Sequence, residues 1–233
     1  MEKKEIQINN RCCRVYGRGN AKYVLVQPVD EHDLEALDGE VDRIVEAVGN
    51  HFLLVAYPIE EWMTELSPWS APPVFGRQPF GDGAANTLRT LTEKVIPTLQ
   101  QQFMLDVSPL YIIGGYSLAG LFALWVGYES KLFQAVVAAS PSVWFLQWMD
   151  FAESHMSNAK AVYLSLGDRE EHTRNRQMAL VGDCIRRQYE LYQRQTGLSS
   201  ILEWNSGNHF QQSGERTAKG FIWALKRLSA AQG

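Results

Sequence analysis

Ser117 stands in the string Gly115-Tyr116-Ser117-Leu118-Ala119-Gly120, a histidine lies far downstream in Gly207-Asn208-His209-Phe210, and between them Asp168, Glu170 and Glu171 share one short segment. A serine hydroxyl is a weak nucleophile. It attacks a carbonyl when a tight strand-to-helix turn presents it, small neighbours stay clear of it, and an imidazole takes its proton. Gly115 and Ala119 meet the size demand. The order serine, acid, histidine is one of the chain orders in which nucleophile, orienting acid and general base occur.

That chemistry needs a scaffold, and the hydrophobic pattern supplies one. Residues 110–113 form an apolar run that reads as a buried strand, and 121–128 read as a helix, so Ser117 falls at the corner between them. Upstream, 5–8 and 12–16 read as a hairpin turning at Asn9-Asn10, and 23–27 as a third strand. Leu37, Val41, Ile44, Val45 and Val48 recur at helical spacing before the continuous apolar strand 51–57. Residues 58–82, rich in Pro and Trp, read as a long loop, of a length that is usually functional or mobile, before a helix carrying Leu88 to Phe103. Downstream, strands at 135–139, 161–166 and 200–204 alternate with helices at 146–156, 173–195 and 216–228. This alternation predicts an α/β fold, a mostly parallel sheet with helices on both faces, as one domain over 1–233. In such a sheet the functional groups gather beyond the carboxyl ends of the strands. Ser117, the 168–171 segment and His209 each follow a predicted strand.

Composition narrows the function. The 233 residues hold 22 Lys and Arg against 26 Asp and Glu, a net charge of −4 with no long basic run, which argues against a nucleic-acid partner. The charged start Met1-Glu2-Lys3-Lys4-Glu5 has no secretory apolar core, and no apolar run approaches membrane-spanning length, so the expected location is cytoplasmic with no membrane partner. Three cysteines imply no disulfide framework, and no Cys/His spacing resembles a metal site; neither metal nor cofactor is expected. Of the five histidines, only His209 has the position expected of the base.

Three stretches carry a family resemblance: Gly115-Tyr116-Ser117-Leu118-Ala119-Gly120-Leu121, Ala139-Ser140-Pro141-Ser142-Val143-Trp144, and Gly167-Asp168-Arg169-Glu170, with Phe80-Gly81-Asp82-Gly83 as a fourth. On these the chain resembles the putative-esterase (esterase D-like) family of α/β-hydrolases, and within it the siderophore trilactone esterases. The resemblance implies the α/β-hydrolase fold and a serine hydrolase that cleaves a carboxylic ester through an acyl-serine intermediate. Its Gly-x-x-Glu loop favours Glu170 as the acid, with Asp168, nearer the strand end, as the rival. The backbone N–H of Leu118 is the expected first oxyanion donor. Two departures stand out. Ala119 replaces a glycine of the family elbow, and Gln27-Pro28-Val29-Asp30 lacks the usual His-Gly pair. Pro28 has no N–H, which leaves Val29 as the expected second donor.

The partner is then a small-molecule ester, with Tyr116, Trp144 and Trp69 as expected substrate contacts at the crevice edge. Acyl transfer or thioester hydrolysis would use the same acyl-enzyme. A catalytically silent binding protein on the same fold is the reading that the altered oxyanion segment keeps open.

Overall fold

The computed structural model describes residues 1–105 and 109–231. β1 (Lys3–Ile8) and β2 (Arg11–Tyr16) pair antiparallel through a two-residue turn in which Asn9 and Asn10 have φ of 52° and 64°. Positive φ at both central positions gives the turn whose twist matches the flanking strands, and asparagine tolerates it. β3 (Tyr23–Val29) and β4 (Phe52–Pro58) are buried nearly throughout, as strands covered on both faces must be. Between them runs α1 (Glu31–Val48), fastened at its start by a capping box. The Asp30 carboxylate accepts from the Asp33 N–H at 2.8 Å, and the Asp33 carboxylate accepts from the Asp30 N–H at 3.4 Å.

The remaining elements are α2 (Trp62–Glu65), α3 (Ala84–Thr90), α4 (Ile96–Phe103), β5 (Leu110–Tyr116), α5 (Ser117–Glu129), β6 (Phe133–Ala139), α6 (Trp148–Ser154), β7 (Ala161–Gly167), α7 (Val181–Arg194), β8 (Ser199–Asn205) and α8 (Ser213–Ala230). Among the described residues they build one eight-stranded sheet in the order β1-β2-β4-β3-β5-β6-β7-β8, antiparallel only at β1-β2 and β2-β4. Apolar side chains of α1 and α8, among them Leu37, Ile44, Phe221 and Leu228, cover one face; those of α4 to α7 cover the other. This is the α/β-hydrolase fold, with helices on both faces as expected. The chain passes from β3 to β4 on one side, and β5 lies on the other. A crevice therefore opens beyond the ends of β3 and β5, where Asp30 and Ser117 stand. No helix among the described residues is long and apolar enough to cross a membrane.

Three elements differ from the sequence expectation. The 58–82 segment, read as a loop, contains the short helix α2. The helix expected over 173–195 begins only at Val181. Before it, the Asn175 side chain accepts from the N–H groups of Gln177 and Met178 and donates to the Val74 carbonyl, which fastens a non-helical segment to the 58–82 loop. The helix expected through Phe103 is interrupted by a π turn at Leu91–Val95. Pro97, just beyond it, lacks an N–H and would clash with a carbonyl one turn earlier in a regular helix, which the wider turn avoids.

Candidate active site

β5 runs straight into α5, and the reversal falls on one residue. Ser117 has φ of 56°, a left-handed conformation uncommon for a residue with a side chain. The turn closes because residue 115 is glycine: a Cβ there would lie 2.6 Å from the Ala119 Cβ. Ala119 is therefore accommodated in place of the family glycine by the missing side chain of Gly115.

His209, in the loop after β8, brings its Nε2 to 3.0 Å from the Ser117 Oγ, and its Nδ1 lies 2.7 Å from the Glu170 Oε2. Glu170 sits in a single helical turn after β7 and is 7% exposed. Its other oxygen, Oε1, accepts from the Gly167 N–H (2.7 Å), the Ser140 hydroxyl (2.7 Å) and Arg216 Nη1 (2.8 Å). Burial pushes this carboxyl up, but the hydrogen bond and charge of His209, with the donors at Ser140 and Gly167, outweigh it and hold the group below the usual carboxylate range. An ionised carboxylate only accepts, so Nδ1 carries the ring proton and Nε2 presents its lone pair to the serine hydroxyl. The arrangement can take a proton from Ser117 and pass it on.

Asp168 has a different task. Half-exposed, it accepts the Gly207 N–H at 2.9 Å, while its own N–H and that of Arg169 donate to the carbonyls of Asn205 and Gly207. These bonds zip the loops after β7 and β8 together and so carry His209 to Glu170. The structure puts Glu170, not Asp168, on the imidazole.

The oxyanion side requires a correction. The Val29 carbonyl accepts from the Ile59 N–H beyond β4 at 2.9 Å. In an extended strand the N–H and C=O of one residue point to the same side, so the Val29 N–H also faces β4, away from Ser117. Within the trans peptide that joins Val29 to Asp30, however, the N–H is opposed to that carbonyl. The Asp30 N–H therefore points away from β4, where the Asp33 carboxylate accepts it at 3.4 Å, and Asp30 lines the same cavity as Ser117. Leu118 occupies the first turn of α5, whose leading N–H groups have no partner within the helix.

Two cavities meet at His209. One, of about 190 Å³, is lined by Asp30, His32, Asp33, Trp62, Tyr116, Ser117, His209 and Phe210. The other, of about 220 Å³, includes Trp144, Glu170, His172, Met178, His209 and Phe210. Tyr116 lines the first cavity and Trp144 the second. Trp69 lines neither. Its indole N–H donates to the Leu146 carbonyl at 2.9 Å and its ring packs on Phe145, Trp148 and Phe151, so its surface is spent on packing. Sequence reading missed Arg216, Trp62, Phe210 and the hydroxyl of Ser140. Phe210 adjoins His209 and could have been suspected from that alone. Arg216 carries no local signal, because its partners come from distant strand ends.

Among solved structures, the chain is similar to an IroE-like serine hydrolase from Shewanella oneidensis (13% identity, TM-score 0.75, covering 97% of this chain and 80% of that one). It is similar also to the siderophore hydrolase EstA from Aspergillus nidulans (20%, 0.72, 97% and 95%). A third is the enterobactin esterase FES from Shigella flexneri (13%, 0.68, 98% and 60%). These likenesses speak to the fold. No curated protein matches the sequence. The family model described as "Putative esterase" matches residues 41–212, a span that holds the serine elbow, the acid loop and His209, and the chain belongs to that family.

Proposed function

We propose that this esterase cleaves a small-molecule carboxylic ester through an acyl-serine intermediate, with Ser117 as nucleophile, His209 as general base and acid, and Glu170 as the group that orients and supports the imidazole. The observation that carries this reading is the unbroken line from Ser117 Oγ through His209 to Glu170, at 3.0 and 2.7 Å, on an elbow whose serine has φ of 56°. His209 Nε2 takes the hydroxyl proton as Oγ bonds to the ester carbonyl carbon. The resulting oxyanion accepts from the N–H group of Leu118. The tetrahedral intermediate then expels the alkoxide, which receives the proton from His209. Water, deprotonated by the same imidazole, attacks the acyl carbon, and the second tetrahedral intermediate releases the acid as His209 returns the proton to the departing Ser117 Oγ.

The siderophore and enterobactin esterases among the structural neighbours, together with the Trp62, Tyr116, Trp144 and Phe210 walls, support a bulky or aromatic ester, of which a siderophore-type ester is one candidate. A panel of chromogenic esters differing in chain length and aromaticity, run with wild type and S117A, tests the reading. Hydrolysis is expected to favour aromatic members and to vanish in S117A. Undiminished hydrolysis by S117A would contradict the assignment of the nucleophile.

A further inference from the structure

Glu170 shares its pocket with a buried cation that the chemistry above does not use. Arg216, in the first turn of α8, is 1% exposed. Besides Glu170 Oε1, its Nη1 donates to the Ser140 hydroxyl (3.1 Å) and the Tyr116 hydroxyl (3.2 Å), and its Nη2 donates to the Ser206 carbonyl (3.1 Å). The Tyr116 hydroxyl in turn donates to the backbone carbonyl of His209 at 2.7 Å. One guanidinium thus joins the residue before the nucleophile, the acid, the turn leading to the base, and the end of β6. These groups come from four strand ends. A planar fork with several donors can hold them together, whereas the point charge of a lysine cannot.

We propose that Arg216 is a positioning residue for the reaction: its fork holds Glu170 and the His209 loop in register with Ser117, and its charge sets the pH at which the base becomes available. The inference rests on the esterase reading above. A fixed positive charge against Glu170 lowers the affinity of the coupled Glu170–His209 pair for a further proton, whichever member takes it. Removing that charge raises the affinity. The other groups facing the pair are Tyr116, whose phenol burial and then Glu170 push up to about 12; Asp30, His32 and Asp33 across one cavity; and Arg169 and His172 in the other. All of them persist in the variants, so a difference between variants reports Arg216.

The experiment measures kcat and kcat/KM from pH 5 to 9 for wild type, R216K and R216M on one chromogenic ester, with fluorophosphonate labelling of Ser117 in parallel. R216K keeps the charge and loses the fork. Its acid limb is expected to coincide with that of wild type while kcat falls roughly tenfold or more, the scale on which small misplacements act. R216M loses both, and its acid limb is expected to move about one unit to higher pH. A purely structural arginine would lower activity without moving the limb. The proposal is overturned if the R216M limb stays in place or moves to lower pH, or if R216K retains full kcat. Should R216M fail to fold, the neutral R216Q takes its place, with the same movement of the acid limb expected and the same failure to move overturning the proposal. Wild type that is inactive and unlabelled at Ser117 would instead overturn the esterase reading and this one with it.

Discussion

At the scale of single residues the site turns on two carboxylates, two positions apart, that differ in what they touch. Glu170 is buried against His209, whereas Asp168 is half-exposed and holds the Gly207 N–H. E170Q is expected to lower kcat by roughly 10³-fold or more, because a neutral amide neither fixes the tautomer nor supports the imidazolium. D168N retains an acceptor for Gly207 and is expected to leave kcat little changed. Equal losses in the two variants would contradict the assignment. Asp33 offers a test through stability. Burial, and then the charge of Asp30, push its carboxyl up to about 7. The folded protein then keeps a proton that the unfolded chain gives up near pH ~4. The stabilisation from that proton is complete at low pH and is lost as pH rises toward about 7. D33N cannot ionise, so its melting temperature relative to wild type is expected to rise between pH 5 and pH 8. A difference that stays constant would show that Asp33 titrates alike in both states.

At the scale of elements the nucleophile depends on close packing at the start of α5. A methyl at residue 115 would meet the Ala119 Cβ at 2.6 Å and the Ala119 carbonyl carbon at 2.9 Å. G115A is expected to destabilise the protein by about 1–3 kcal/mol, the usual cost of overpacking, and to lower kcat by tilting Ser117. Adding A119G removes the Cβ contact and leaves the backbone one, so the double variant is expected to recover part of the loss in denaturant unfolding. No recovery would contradict this packing account. The elbow was legible because strand, small residues and helix lie contiguous in sequence. The start of α7 was not: Met178 and Val181 carry helical spacing, but the side chain of Asn175 competes for the backbone and its partner, Val74, is 101 positions away. The π turn was equally hidden, although Pro97 marked where a regular helix had to yield.

At the scale of the molecule, the topology explains why some parts of the site were readable and others were not. Ser117, Glu170 and His209 each follow a strand of a parallel sheet, and strand order alone brings those ends to one edge. Which way a peptide faces between β3 and its neighbours is not encoded in residue types, so Val29 was expected as a donor although its N–H faces β4. Arg216 was out of reach for a similar reason: α8 packs across β5, β6 and β7 and delivers its guanidinium under three loops at once. Larger hollows, of about 440 and 590 Å³, lie near the amino ends of the strands, but the residues lining them include no serine–histidine–carboxylate set. The smaller pair at His209 is lined by one, which marks it as the candidate site. Phe210, 86% exposed, borders both of its cavities. F210A is expected to raise KM for aryl esters with little change in kcat, and an unchanged KM would remove it from the substrate surface.

Covalent capture by a fluorophosphonate, read by mass spectrometry on the folded chain, reports whether Ser117 is an activated nucleophile. Wild type is expected to gain a single phosphonyl adduct that maps to the peptide containing Ser117, and S117A to gain none. Folded wild type without an adduct, or S117A labelled as fully as wild type, would contradict that role.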